Sequence, residues 1–220
     1  MAHKTATQLR TRIERIVKDS SYSNDDIFDL LNRGVDEICE RVALPQLATY
    51  ATLSTGDDVS HVSLPTNFHR GLRRCYSVTN DDEIKIYPSV IWMLEDFEGV
   101  VDDTGDVSAV SILGTALHYQ GIPTASEELR IYYQQKPTYY STGSDTTTFI
   151  PEWLEYPLLV GFAAKEVFAE IEDGTEPQHM GKVNTVYWTG MYEKALGELH
   201  KHVVGRIRPE WKKPDVWAHL

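Results

Sequence analysis

SYSNDDIFDLLNRGVDEICERVALP, residues 21–45, carries a whole helix together with its start and stop signals. Ser23 followed three residues later by Asp26 is a capping box with the shorter acid, and Asp25 and Asp26 lie where the helix dipole favours negative charge. Ile27, Leu30, Leu31, Val35, Ile38 and Val42 then recur at helical spacing. Pro45 ends the run, because the residue before a proline is pushed out of the α region. A helix with one continuous apolar face has to bury it against something, so the flanking sequence must supply partners.

Toward the N-terminus, Thr5 to about Asp19 predicts a helix with Leu9, Ile13, Ile16 and Val17 on one stripe and Arg10, Arg12, Arg15 and Lys18 mostly opposite. It breaks at Ser20-Ser21-Tyr22. Beyond Pro45 the period changes toward two. Candidate strands are Tyr50–Ser54, His61–Leu64, Arg73–Thr79, Glu83–Tyr87, Val107–Leu113, Thr115–Gln120 and Glu128–Gln135, with turn clusters between them. Ser89–Phe97 interrupts these as a short helix with Val90, Met93, Leu94 and Phe97 on one side. Tyr140–Thr148, rich in Ser, Thr and Gly, reads as a flexible connection.

Helix resumes at Pro151, with Leu154, Leu158, Phe162, Val167 and Ile171 as its buried side and a short first turn or kink at Pro157. In the last helix Val183, Tyr187, Met191, Ala195, Leu199 and Val203 recur every four residues, with Gly205 as the C-cap. The predicted fold is α+β: a bundle of about four helices carrying an inserted antiparallel β subdomain, followed by an extended C-terminal arm. Its boundaries are 1–48 and 149–205 for the helical body, 49–148 for the insertion and 206–220 for the arm.

With 220 residues, 41% of them hydrophobic and 25% charged, the chain has the composition of a soluble protein with one sizeable core. Its longest apolar run, Pro157–Ala164, is too short to span a bilayer. The polar stretch Met1–Arg15 lacks an apolar signal core, which predicts cytoplasmic synthesis. Cys39 and Cys75 sit apart on a helix and a strand pattern, so two packed, reduced thiols are expected. A net charge of −12 disfavours gripping nucleic acid, which requires Lys and Arg against phosphate. The arm departs from this balance: Arg206, Arg208, Lys212 and Lys213 outnumber Glu210 and Asp215, and Trp211 and Trp217 accompany them. Pro209 and Pro214 disfavour helix there, and Trp and Arg are the side chains most enriched at binding hot spots.

Catalytic and metal-binding patterns do not emerge. His200 and His202 are two apart and point to different sides of a helix. The loop with Asp102, Thr104 and Asp106 lacks the closing Glu of an EF-hand, and Asp57-Asp58 and Asp81-Asp82-Glu83 read as turns. Glu127 and Glu128 lie on opposite faces of a strand. No GxSxG, P-loop, GxGxxG or HExxH string occurs. No cofactor, metal or catalytic residue is predicted.

Four strings stand in order along the chain: SYSNDDIFDLLNRGVDEICERVALP with its Leu30-Leu31-Asn32 and its Arg41-to-Pro45 ending, LPTNFHRGLRR at Leu64–Arg74, ELRIYYQQKP at Glu128–Pro137, and IPEWLEYPLLVGFAAKEVF at Ile150–Phe168. Together they resemble the head-to-tail adaptor (connector) proteins of tailed bacteriophages. The resemblance implies a non-enzymatic virion protein of the neck: a homo-oligomeric ring, commonly of twelve copies, docked beneath the portal protein. Its other face would meet the next tail component (nozzle, stopper or tail tube), and DNA would pass through the channel without specific binding, with no membrane involved. In similar proteins the C-terminal segment reaches the portal, which assigns portal binding to Arg206, Arg208, Trp211, Lys212, Lys213 and Trp217. Arg10, Arg12, Arg15 and Lys18 opposite acidic stretches would pair neighbouring copies. Two alternatives stand beside this: a tail-side stopper or head-completion protein, and, from another class, a soluble ligand-binding or hydrolytic protein whose site uses Tyr132, Tyr133, Tyr139 and Tyr140 of the β region.

Overall fold

The computed structural model describes residues 2–18, 22–97, 104–173 and 183–207. The chain forms two units, one from residues 1–46 with 137–220 and one from residues 47–136.

In the helical unit, α1 (Ala6–Val17) starts with a capping box between Thr5 and Gln8 and buries Ala6, Leu9 and Ile13. α2 (Asn24–Arg41) starts with the expected Ser23–Asp26 capping box and buries Ile27, Leu30, Leu31, Val35, Ile38 and Cys39 along one face. It ends at Arg41, and Pro45 instead opens a short 3-10 turn, Pro45–Leu47. Gly34 sits where α2 meets the Phe162 ring: a Cβ there would lie 3.0 Å from Phe162 Cδ1. α4 (Glu152–Glu155) passes through a π turn (Tyr156–Val160) into α5 (Gly161–Asp173). The kink expected at Pro157 takes this form because the wider turn tolerates a residue with no N–H to donate.

α6 (Val183–Ile207) packs along α5. Glu172, at the end of α5, accepts hydrogen bonds from the backbone N–H groups of Asn184 and Thr185 and from the Thr185 hydroxyl, capping α6 from outside. Two expected faces need correction. Ile171 is exposed, and of the stripe proposed for α6 only Ala195, Leu199 and Val203 are buried, whereas Val183, Tyr187 and Met191 are exposed. Tyr192 and Leu196 complete the buried face, with Tyr192 edge-on to Phe162 at 5.7 Å. Gly205 is not a cap, since helical backbone continues to Ile207.

The stretch 140–148 is not the flexible connection anticipated. The Asp145 carboxylate accepts from the backbone N–H and hydroxyl of both Ser141 and Thr142, at 2.6 to 2.9 Å. The backbone carbonyls of Gly143 and Asp145 in turn accept from the N–H groups of Thr7 and Ala6, which open α1. Asn32 exchanges two hydrogen bonds with the backbone of Tyr140. Short polar side chains here fold the backbone instead of loosening it.

The β unit is one curled sheet of seven strands: β1 (Ala48–Ser54), β2 (His61–Ser63), β3 (Phe68–Ser77), β4 (Asp82–Ile86), β5 (Ala109–Leu113), β6 (Ala116–Gln120) and β7 (Glu128–Gln135), in the order β1-β7-β3-β4-β5-β6-β2. The expected all-antiparallel arrangement holds with one correction: β4 and β5 pair in parallel. The connection between them carries α3 (Val90–Asp96), capped by Ser89, and is long enough for the crossover that a parallel pair requires. Alternating residues of the strands, including Leu53, Val62, Cys75, Ile84, Val110, Leu117, Tyr119, Leu129, Ile131 and Tyr133, converge on a single apolar interior. Gly121, at φ +81°, turns the chain where a Cβ would lie 2.1 Å from the Asp106 carbonyl oxygen. β1 enters the sheet directly beside the end of β7, with Ala48 opposite Gln134.

Candidate functional site

Of the residues assigned to the arm, Arg206 lies on the helical backbone at the end of α6, so the extended conformation anticipated from residue 206 does not begin there. Arg208, Trp211, Lys212, Lys213 and Trp217 lie outside the described residues.

Among the described residues, the surface clefts of the helical unit include the following three. Beside the C-terminal half of α6, a cleft of about 430 Å³ is lined by Arg41, Val42, Glu193, Leu196, Gly197, His200 and Lys201. Arg41 bridges Glu193 at 2.7 Å and Glu37 at 3.1 Å, and the Glu193 carboxylate raises the Arg41 pKa, so this cleft is internally neutralised. Lys165 joins the same network through Glu37.

The second cleft, about 320 Å³, runs between α1 and the π turn and is lined by Gln8, Thr11, Arg12, Arg15 and Tyr156. Arg10 turns away from it, donating to Glu14 at 2.6 Å and to Asn24. Arg12 and Arg15 have no ion pair among the described residues. The third, about 700 Å³, is lined by Tyr22, Asp25, Asp26, Asp29, Leu30 and Glu170. Asp26 is committed to the Ser23 cap, whose hydrogen bonds lower its pKa. Asp25, Asp29 and Glu170 are without a cationic partner among the described residues.

Beneath these surfaces lies a group that the sequence reading missed. The Glu155 side chain is fully buried and accepts from the Lys4 backbone N–H at 2.8 Å and bonds His3 Nδ1 at 2.6 Å. It ties the chain ahead of α1 to the start of the π turn. The one available signal was a lone acid inside the apolar run Trp153–Val160, since a carboxylate placed there must find donors.

The tyrosines named for the second class of function fall in different settings. Tyr132 and Tyr133 point to opposite faces of β7: Tyr133 is in the interior with its hydroxyl donating to Asn67, and Tyr132 is outside against Tyr50 at 5.8 Å. Tyr139 and Tyr140 belong to the helical unit, the first donating to Asp36 and the second buried against Thr147. Glu127 is buried, accepting from the Val107 N–H, and its neighbour Glu128 is exposed. Burial pushes the Cys75 thiol up to about 12, so it stays protonated at neutral pH and is a poor nucleophile; Cys39 is also buried and free. A cleft of about 370 Å³ at one end of the sheet carries Leu64, Pro65 and Phe68 with His69 and Lys136. His69 shares this lining with Ser63, Thr66 and Thr115, and no carboxylate is among the lining residues.

On α6, His202 packs edge-on to Trp153 at 6.0 Å, whereas His200 is exposed, which separates the two rings. Asp102 of the acidic loop lies outside the described residues. Among the described residues no three His, Cys, Asp or Glu side chains gather where a metal could be held, and no helix is long and apolar enough to cross a membrane.

Two of the helical unit's clefts thus carry charged groups without an ion pair among the described residues. No curated protein matches the sequence. The family model described as SU10 adaptor protein matches residues 4–215. Since that match spans both units, the chain belongs to the SU10 adaptor protein family, a family of phage head-to-tail adaptors.

Proposed function

We propose that this protein forms a ring in the virion neck, commonly of twelve copies, that docks beneath the portal and links the filled capsid to the tail. The observation that carries this reading is the family match over residues 4–215, which takes in both units and the first part of the C-terminal segment. The basic, tryptophan-bearing residues Arg206, Arg208, Trp211, Lys212, Lys213 and Trp217 make the portal contact. Arg206 lies in, and the others follow, a helix anchored at Tyr192, Leu196 and Leu199, so the segment starts from a fixed base. The opposite side of the ring meets the next tail component. Surplus acid, 33 Asp and Glu against 21 Lys and Arg, repels DNA phosphates and keeps the passing genome from adhering. The role is structural and not catalytic, in keeping with the family and with the protonated, buried Cys75.

The test is removal of residues 208–220, which takes away every named portal contact except Arg206 and leaves the backbone of α6 whole. Thermal unfolding should be unchanged while attachment to portal-containing heads is lost. Wild-type attachment by the truncated chain would refute the arm's role, and binding to tails but not to heads by the intact chain would favour a tail-side stopper.

A further inference from the structure

We propose that neighbouring copies in the ring meet by seating the Arg12/Arg15/Tyr156 groove of one subunit in the Asp25/Asp29/Glu170 cleft of the next. This rests on the ring reading above and specifies its contact. Two facts commit the groove to a second copy of this chain. First, the surfaces are complementary in charge, and neither is satisfied within its own subunit: Arg12 and Arg15 lack an ion pair, as do Asp25, Asp29 and Glu170, among the described residues. Second, the chain is strongly acidic overall, so copies repel unless a local reversal of sign faces a neighbour's acid.

The placement fits a contact that closes by rotation. Arg10 on α1 reaches Asn24 at the start of α2. At about 100° per residue, Arg12 lies roughly 200° around α1 from Arg10 and so faces away from α2. The basic groove therefore opens on the side of α1 remote from α2, whereas the acidic cleft is built on α2 and α5 and shares no residue with it. Two different patches on separate sides make a heterologous interface, the kind that generates rings. Tyr156, 39% exposed, and Tyr22 add apolar contact to the charges, and arginine with tyrosine is the composition enriched at interface centres.

The experiment uses the full-length chain supplied during phage assembly in two charge-reversed forms, Arg12→Glu/Arg15→Glu and Asp29→Lys/Glu170→Lys. The readout is copies of this protein per portal-containing head, by quantitative mass spectrometry, with circular dichroism confirming the fold. Each variant alone should fall by about tenfold or more, since like charges then oppose each other at every contact. Supplied together in equal amounts they should restore incorporation, because the acidic groove of the first fits the basic cleft of the second and the unaltered surfaces of the two also match. Wild-type incorporation by either variant alone, or two folded variants that fail to rescue each other, would overturn the contact while leaving the adaptor reading standing. Absence of the unaltered chain from portal-containing heads would overturn both.

Discussion

Asp145 shows how much one exposed carboxylate can organise. Its four hydrogen bonds from Ser141 and Thr142 hold its pKa far below the ordinary value. In the unfolded chain an aspartate titrates near pH ~4. Above that pH both states are ionised and the full benefit of the bonds is present; below it the unfolded state takes up the proton first, so stability falls as pH drops toward the depressed native value. The melting temperature of the wild-type protein should therefore exceed that of Asp145→Ala by most above pH ~4, and the gap should narrow steadily with acidification. A gap independent of pH would show that the turn does not depend on the charge. The turn itself was not legible. SerThrGlySerAsp has the composition of a linker, and only the meeting with Thr7 and Asn32, far away in sequence, reveals a fastening. Glu155 was missed for the same reason, because its partners His3 and Lys4 lie some 150 positions earlier.

Elements whose information is local were read well. The limits of β7 fell where uninterrupted alternation put them, Glu128–Gln135, and the Ser23–Asp26 cap fixed the start of α2. β3 was read short because register shifts near Arg70, with Gly71 at φ +69°, break its alternation. The face of α6 was misread for a geometric reason. Residues spaced by four advance about 40° per step around a helix of 3.6 residues per turn, so Val183 ends up about 200° from Val203 and faces out when Val203 faces in. Packing between elements is as demanding. Phe162 is held edge-on against Tyr192, with the Lys165 ammonium 4.6 Å from its ring centre, so it has little freedom to retreat from α2. Gly34→Val should accordingly cost about 2 kcal/mol, as overpacked helix contacts do, read as a lowered urea midpoint with an unchanged slope. Wild-type stability in that variant would mean the ring moves aside freely.

For the molecule as a whole, the class α+β was legible because the hydrophobic period changes twice along the chain, yet the parallel pairing of β4 with β5 was not. That pairing depends on which strands meet after the α3 crossover, a non-local choice that leaves no trace in either strand's own alternation. The β unit has an apolar interior built from its own strands, and its ends are neighbours in the sheet. Residues 47–136 expressed alone should therefore fold cooperatively, with dispersed amide proton resonances; a collapsed spectrum would show that the helices are needed to complete the core. The arm proposed for portal binding rests on composition alone, Trp211 and Trp217 amid basic residues.

The meeting of Ala48 with Gln134 also bears on the order of assembly. Closing a flexible segment of about 90 residues costs roughly 4 kcal/mol of chain entropy by the logarithmic law, which would otherwise oppose α1 and α2 finding α5. Once the first and last strands zip together, their outer ends stand about 5 Å apart, and two helical halves distant in sequence are delivered to each other as though joined by a hairpin. The sheet is a clasp for the helices before it is a surface for anything else.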